Sequence, residues 1–349
     1  MRKILSILLL LMVLGGCTKQ EKQKFNTIFY DTFDTQVQYL EYADNKKEFD
    51  KNAKFVESEY KRLHKLYDNY RSYEGIINVK TLNENAGKKL LKVDKDLFNL
   101  IKFSKENYDK TLGKVNIAMG NVLTIWHDIR EENVGKEDDR KTIIPKKEDL
   151  IKANKYSDIN EVVLDEKNMT VFIKNSNTSI DFGAVAKGYA TELVAKKLES
   201  KGVKNASINA GGNVRTIGLP GDGRKEWKIG LQNPDVNNKK SIKILNINGS
   251  KSIVTSGDYQ RFFMHNGKRY HHIINPKTLQ PETIYRAVSV VTDDSGLADM
   301  LSTALYLSTK EEAKKILENY KDVEIGIVWV DDKEATNTEN MNKIINKEN

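Results

Sequence analysis

The run Asp181-Phe182-Gly183-Ala184-Val185-Ala186-Lys187-Gly188-Tyr189-Ala190 brings an acid, a glycine turn and a lysine close together. The apolar spacing of Ala186, Tyr189, Ala190, Leu193, Val194 and Leu198 predicts a helix over Val185 to Ser200 after a strand. Gly183 and Ala184 then fall at a strand-to-helix turn, where backbone can approach a ligand closely. Lys187 would sit in the first turn, where a cation opposes the helix dipole, so its placement points to an anion such as a phosphate. The competing reading is a packing glycine beside an exposed lysine. Further on, Asn209-Ala210-Gly211-Gly212-Asn213 runs a strand into paired glycines, a turn able to offer N–H groups to an oxygen-rich ligand. Its spacing matches neither the dinucleotide fingerprint nor the Walker loop, which argues against a Rossmann dehydrogenase or a P-loop kinase.

A third segment, Thr255-Ser256-Gly257-Asp258-Tyr259, precedes His271-His272-Ile273-Ile274-Asn275-Pro276, and His265, His271 and His272 are three of only five histidines. Histidine takes a proton near neutral pH without large tuning. A zinc site competes, but no cysteine is available there and adjacent histidines in a strand point to opposite faces. One histidine facing a pocket as base and one facing away is the economical picture. Last, Asp299 and Thr303 lie four residues apart in a predicted helix, projecting from one side, away from the face of Leu297, Leu301, Ala304 and Leu305. A carboxylate and a hydroxyl one turn later offer two hard oxygens, suited to Mg²⁺ rather than a soft metal. The alternative is an Asp complementing the helix dipole beside a solvated Thr.

These residues need a scaffold, and the pattern supplies one. Phe49, Ala53, Val56, Tyr60, Leu63 and Tyr67 share one face of a long amphipathic helix. A second helix runs from Leu97 to about Tyr108 and stops near Gly113. Glu131 to Lys147 reads as a charged surface excursion. Val162-Val163-Leu164 and Thr170-Val171-Phe172-Ile173 flank a polar turn, which predicts a hairpin. Strands follow at Ala206–Asn209, Trp227–Leu231, Ile242–Ile247, Ile253–Thr255, Ala287–Thr292 and Glu324–Val330, with helices at Leu297–Tyr306 and Lys310–Tyr320. The last helix opens on Thr309 and Glu312, a capping-box pair. This mixed order favours α+β, with mixed sheets and packed helices, over a doubly wound parallel sheet.

The ends are of another kind. Met1-Arg2-Lys3 and the apolar run Ile4 to Leu14 form a basic and a hydrophobic region of signal-peptide length, too short to span a membrane. The run closes on Leu14-Gly15-Gly16-Cys17, and Cys17 is the only cysteine, placed where lipoprotein signal peptidase needs a reachable thiol. The sequence thus predicts a signal peptide over 1–16, a lipid on Cys17, and a flexible tether over 17–26, leaving the protein anchored outside the cytoplasm. The fold should begin near Thr27, run to 336, and leave a fraying polar tail over 337–349. A net charge of +8 comes with interspersed acids and no aromatic-interleaved basic stripe, so a lysine-rich solvated surface is favoured over nucleic-acid binding.

Together and in this order, these segments resemble the ApbE family of FAD:protein FMN transferases, Mg²⁺-dependent enzymes that are often bacterial lipoproteins. The resemblance covers most of the chain beyond Cys17. It implies a two-lobed, T-fold-related catalytic domain that splits FAD at its pyrophosphate, joins FMN through phosphate to a Thr or Ser hydroxyl of an extracytoplasmic flavoprotein, and releases AMP. By similarity, the side chains of Asp299 and Thr303 and the carbonyl of Ala184 hold Mg²⁺, and His272 is the base. Asp181 and Lys187 match flavin-nucleotide contacts, and Ile273 packs on the cofactor. Tyr70 falls where an aromatic lies against FAD, and Ala118, Met119 and Gly120 line its adenine side. The family's Met-Gly-Thr stands here as Phe33-Asp34-Thr35, which puts Phe33 at a contact position. Asn213 and Asn275 replace the usual aspartates, removing two negative charges without touching the assigned ligands or base. Two other readings keep the same site: an FAD pyrophosphatase that uses water as acceptor, and a non-catalytic FAD-binding lipoprotein.

Overall fold

The computed structural model describes residues 22–347. The expected signal peptide and Cys17 lie outside the described residues. The main sheet has eight strands, in the spatial order β1 (Gln23–Thr32), β2 (Thr35–Ala43), β6 (Asn205–Ala210), β7 (Asn213–Gly218), β10 (Ser252–Gly257), β13 (Ala287–Thr292), β14 (Gly326–Val330) and β15 (Ala335–Asn337). Every neighbouring pair is antiparallel, which fits the α+β class, with no parallel pair in this sheet. β1 starts at Gln23, so the fold begins before Thr27 and the tether cannot extend to residue 26.

Three helices cover one face of this sheet: α1 (Lys46–Tyr67), α6 (Ala186–Ser200) and α7 (Ser295–Tyr306). Phe49, Val56, Tyr60, Leu63 and Tyr67 of α1 are buried as their spacing predicts, and the Asn45 side chain caps the helix by accepting from the Glu48 N–H. The opposite face is covered by the hairpin β8 (Trp227–Leu231) and β9 (Lys243–Ile247), which packs Trp227, Leu231, Leu245 and Ile247 onto it. β13 is therefore buried on both faces along its whole length, Ser289 and Thr292 included. The long connection from β2 to β6 builds a second lobe. It contains α2 (Val79–Glu84), α3 (Lys95–Glu106), α4 (Gly120–Asn133), α5 (Lys147–Asn154) and a small sheet of β3 (Leu91–Lys92), β4 (Val162–Asp165) and β5 (Thr170–Ile173). The remaining elements are the hairpin β11 (Phe262–His265) and β12 (Lys268–His271), α8 (Lys310–Glu318) with its Thr309–Glu312 capping box, and α9 (Glu339–Asn342).

Two expectations need correction. The C-terminal segment does not fray up to residue 347: Thr338 caps α9, Met341 is fully buried, and Ile345 bridges to Leu245. Three apolar residues in a polar stretch suffice, because β9 presents an unpaired edge for them. α7 is buried nearly all round rather than on one face, since α6, β10 and β13 enclose it.

Helices α6 and α7 approach closely at Gly188. A Cβ there would lie 2.2 Å from the Ser295 carbonyl oxygen and 2.4 Å from the Asp299 Cβ. Gly188→Ala should therefore force α6 off α7 and cost about 1–3 kcal/mol. A lowered denaturation midpoint checks this; an unchanged one would show that the helices separate freely.

Candidate functional site

Asp181 is fixed by three short contacts. Its N–H donates to the Ile117 carbonyl (2.8 Å), and its carboxylate accepts from the Gly183 N–H (2.7 Å) and the Asn69 amide (2.6 Å). Burial raises its pKa, and the Gly183 and Asn69 hydrogen bonds oppose that shift. No strand precedes it; Ser179 makes only a single bridge to Met119. The Gly120 N–H donates to the Ser179 carbonyl at 3.0 Å, and a Cβ on Gly120 would meet that oxygen at 2.6 Å. Ala118, Met119 and Gly120 are thus held flat against the segment that carries Asp181. Beside them Tyr70 is half exposed, and its ring lies 4.6 Å from that of His127. Asp68 orients it, accepting from the Tyr70 and Arg71 N–H groups.

Asp299 stands where α6 meets α7. Its carboxylate accepts from the Gly188 N–H at 2.8 Å. That amide is the one that could have bonded back to the Ala184 carbonyl, so the Ala184 oxygen is left free of it. The Thr303 hydroxyl lies 3.2 Å from that of Ser256. Burial pushes the Asp299 pKa up; Lys187 and then the Gly188 N–H draw it down. Asn213 pulls the same way, although its buried amide nitrogen has no acceptor within hydrogen-bonding distance. Among the described residues, no group of three or more His, Cys, Asp or Glu side chains could hold a metal unaided. One carboxylate, one hydroxyl and one free carbonyl fit a hard cation that draws its other oxygens from a phosphate ligand.

The two histidines differ in their surroundings, with His271 ending β12 and His272 just beyond it. His271 Nδ1 accepts from the Ile273 N–H (3.2 Å), which leaves Nε2 to donate to the Glu282 carbonyl (2.5 Å). It is a structural clip. The neighbouring His272 has a buried Nδ1 with no partner. Burial first, then Arg261, Lys187, His271 and Arg130, hold its pKa well below the usual histidine range. Arg261 is anchored on the β1–β2 turn, donating to the carbonyls of Phe33 (3.3 Å) and Asp34 (2.9 Å). Phe33 and Asp34 both have left-handed backbone (φ 53° and 49°), a tight hairpin turn that carries the Phe33 ring onto Tyr60 and His64. Lys187 has no ion-pair partner among the described residues. A neutral imidazole ringed by three cations is a setting for a multiply charged anion.

The structure thus places Asp299 against Gly188, one turn beyond Ala184 on the chain, with Thr303 one turn further along α7, and Lys187 acts on both Asp299 and His272. Tyr70, Asp181 and Ala118–Gly120 form an adjoining wall. Arg130, Arg261, Asn69 and His127 escaped sequence reading because only long-range packing places them there. The Asn275 substitution is explained locally: its oxygen accepts from the Lys277 N–H (2.8 Å) and its nitrogen donates to Glu282 (2.7 Å), roles an amide fills alone.

Fold and site define a two-lobed α+β protein in which Arg261, Lys187 and Arg130 act on one buried histidine. The chain belongs to the ApbE family, whose profile matches residues 33–327. An FAD:protein FMN transferase of Klebsiella pneumoniae is 30% identical over 268 residues, covering 74% of this chain and 79% of that protein. One from Vibrio cholerae is 27% identical over 337 residues, covering 95% of each. The crystal structure of the ApbE protein of Thermotoga maritima superposes with a TM-score of 0.78 at 26% identity, covering 93% of this chain and 100% of that one.

Proposed function

We propose that the chain is an Mg²⁺-dependent FAD:protein FMN transferase acting on Thr or Ser hydroxyls of extracytoplasmic flavoproteins. The neutral, cation-ringed His272 beside the oxygen set of Asp299, Thr303 and Ala184 carries this reading. The acceptor hydroxyl attacks the FMN phosphorus, its proton passes to His272, and the P–O bond to AMP breaks so that AMP leaves. Mg²⁺, when held by Asp299, Thr303 and the Ala184 carbonyl, would neutralise charge on the pyrophosphate. Lys187, Arg261 and Arg130 would bind the same phosphates. Tyr70 and Phe33 offer aromatic surface, Asp181 and Ile273 complete the flavin-nucleotide contacts, and Ala118, Met119 and Gly120 take the adenine side.

Incubation with FAD, Mg²⁺ and surface proteins of the source bacterium, followed by mass spectrometry, should reveal an FMN adduct. FMN and AMP without any adduct would make the chain a pyrophosphatase; FAD bound but intact would make it a carrier.

The depressed pKa of His272 fixes the sign of a pH effect. The free enzyme keeps a neutral base below pH about 6.5, the unperturbed histidine value, so the acid limb of kcat/KM should lie below it. Bound phosphates favour the imidazolium, so the limb of kcat should lie higher. A kcat/KM limb at or above pH about 7 would remove His272 as base.

The lipid anchor on Cys17 is part of the same proposal: it would hold the enzyme close to membrane-associated acceptors. Among the described residues no helix is long and apolar enough to cross a membrane. Cys17→Ser should abolish labelling of the protein by fatty acid in cells; persistent labelling would place the anchor elsewhere.

A further inference from the structure

A cavity of about 330 Å³ lies on the other face of the main sheet, between β2, β6, β7, β10 and β8. Its lining is unusual for this chain. The sequence has seven glutamines (Gln20, Gln23, Gln36, Gln38, Gln232, Gln260 and Gln280), and four of them, Gln36, Gln38, Gln232 and Gln260, are here. Asn209 and Thr255 add two more uncharged polar groups, and Val214, Ile229, Leu231 and Ile253 give an apolar floor. No Lys, Arg, Asp or Glu contributes, although 30% of the chain is charged. Phosphate-rich ligands and cations therefore find no counter-charge. Each glutamine amide instead offers one acceptor and two donors, the complement of a peptide backbone.

The edge of β8 points to the same occupant. Ile229, Gly230 and Leu231 all line the cavity, and with no side chain at the exposed Gly230 the β8 backbone itself is accessible there. Among the described residues β8 pairs with β9 alone, so its other edge is open to strand addition.

The cavity shares its walls with the cleft. Gly211 and Gly212 line it, and the next residue, Asn213, stands beside Asp299. Thr255 faces the cavity, while Ser256, next along β10, reaches Thr303. Tyr259 and Gln260 line it and lead into Arg261, which faces His272. Above Gly212 the space is open: a Cβ there would meet nothing within 4 Å.

We propose that this cavity docks an extended, uncharged stretch of the acceptor polypeptide next to the flavinylated hydroxyl, the chain passing over the Gly211–Gly212 tip to reach His272. This rests on the transferase reading.

The test uses the full chain, FAD, Mg²⁺ and a library of capped eight-residue peptides with one fixed Thr and randomised flanks. Adducts are sequenced by mass spectrometry for the wild type, Gln38→Glu and Gln260→Glu. The wild type should deplete charged residues at two to four positions on one side of the Thr. Both variants should favour Lys and Arg at those positions at least tenfold over the wild type, with FAD affinity unchanged. Flank preferences identical in wild type and variants would overturn the docking site while leaving the transferase reading intact. No adduct on any peptide or surface protein with the wild type would overturn both.

Discussion

His272→Ala should lower FMN transfer by about 10²–10⁴, the usual contribution of a positioned general base, while FAD still binds. The imidazole Nδ1 has no hydrogen-bond partner, so its removal orphans no neighbour. His271, which holds the Ile273 N–H and the Glu282 carbonyl, is untouched, and the loop keeps its course. Flavin fluorescence titration should give the wild-type affinity, and transfer in the variant should partly recover with added imidazole. A variant that binds FAD and transfers at the wild-type rate would assign the base elsewhere. Loss of FAD binding in the variant would instead make His272 a ligand contact.

The elements that position His272 and Asp299 were mostly legible in the sequence because local signals mark them. The spacing of α1, the alternation of β8, the β-branched residues of β13, and the Thr309–Glu312 box each report a physical constraint that acts within one element. β1 and β2 carried such a signal unread: Val37 and Tyr39 point inward while Gln36 and Gln38 point outward, the period of a half-buried strand. α4 shows how such a signal fails. Only Val122, Trp126 and two residues near its ends are buried, so no clear stripe forms.

Within the site, the assigned oxygens and base were readable through ordered motifs, but their electrostatic setting was not. Arg130 stands in the expected surface excursion's approach, and Arg261 follows a glycine turn; neither spacing says that both face one histidine. β7 hides a similar long-range fact. Its buried Arg215 looks out of place in a strand until Glu192, on α6, is seen to accept from its Nε at 3.0 Å. That same carboxylate accepts from the Ser295 N–H at 2.7 Å, so one ion pair ties the sheet to α6 and to the start of α7. Pairing between residues distant in the chain leaves no local pattern, which is why the clamp that sets Asp299 in place had to be read from the fold.

Asp299→Asn should separate the metal-binding role of this residue from its structural one. Asparagine keeps the side-chain shape and an oxygen for the Gly188 N–H, so α6 and α7 stay pinned. It also removes a buried negative charge whose desolvation already pushes the carboxyl pKa up. The unfolding free energy without added metal should therefore stay within about 1–2 kcal/mol of the wild type or rise, since the bond to Gly188 is weakened from a charged to a neutral acceptor and not lost. FMN transfer should fall at least about a hundredfold, the several kcal/mol of charge stabilisation that a bound cation supplies, and the Mg²⁺ concentration needed for half-maximal rate should rise. Gly188→Ala gives the opposite signature: it keeps the carboxylate but disturbs the helix contact, so stability falls first and activity follows from it. If Asp299 served only to join the helices, the two variants would lose stability and activity together. A stable Asp299→Asn protein that has lost Mg²⁺-dependent transfer can only have lost the charge that the cation requires.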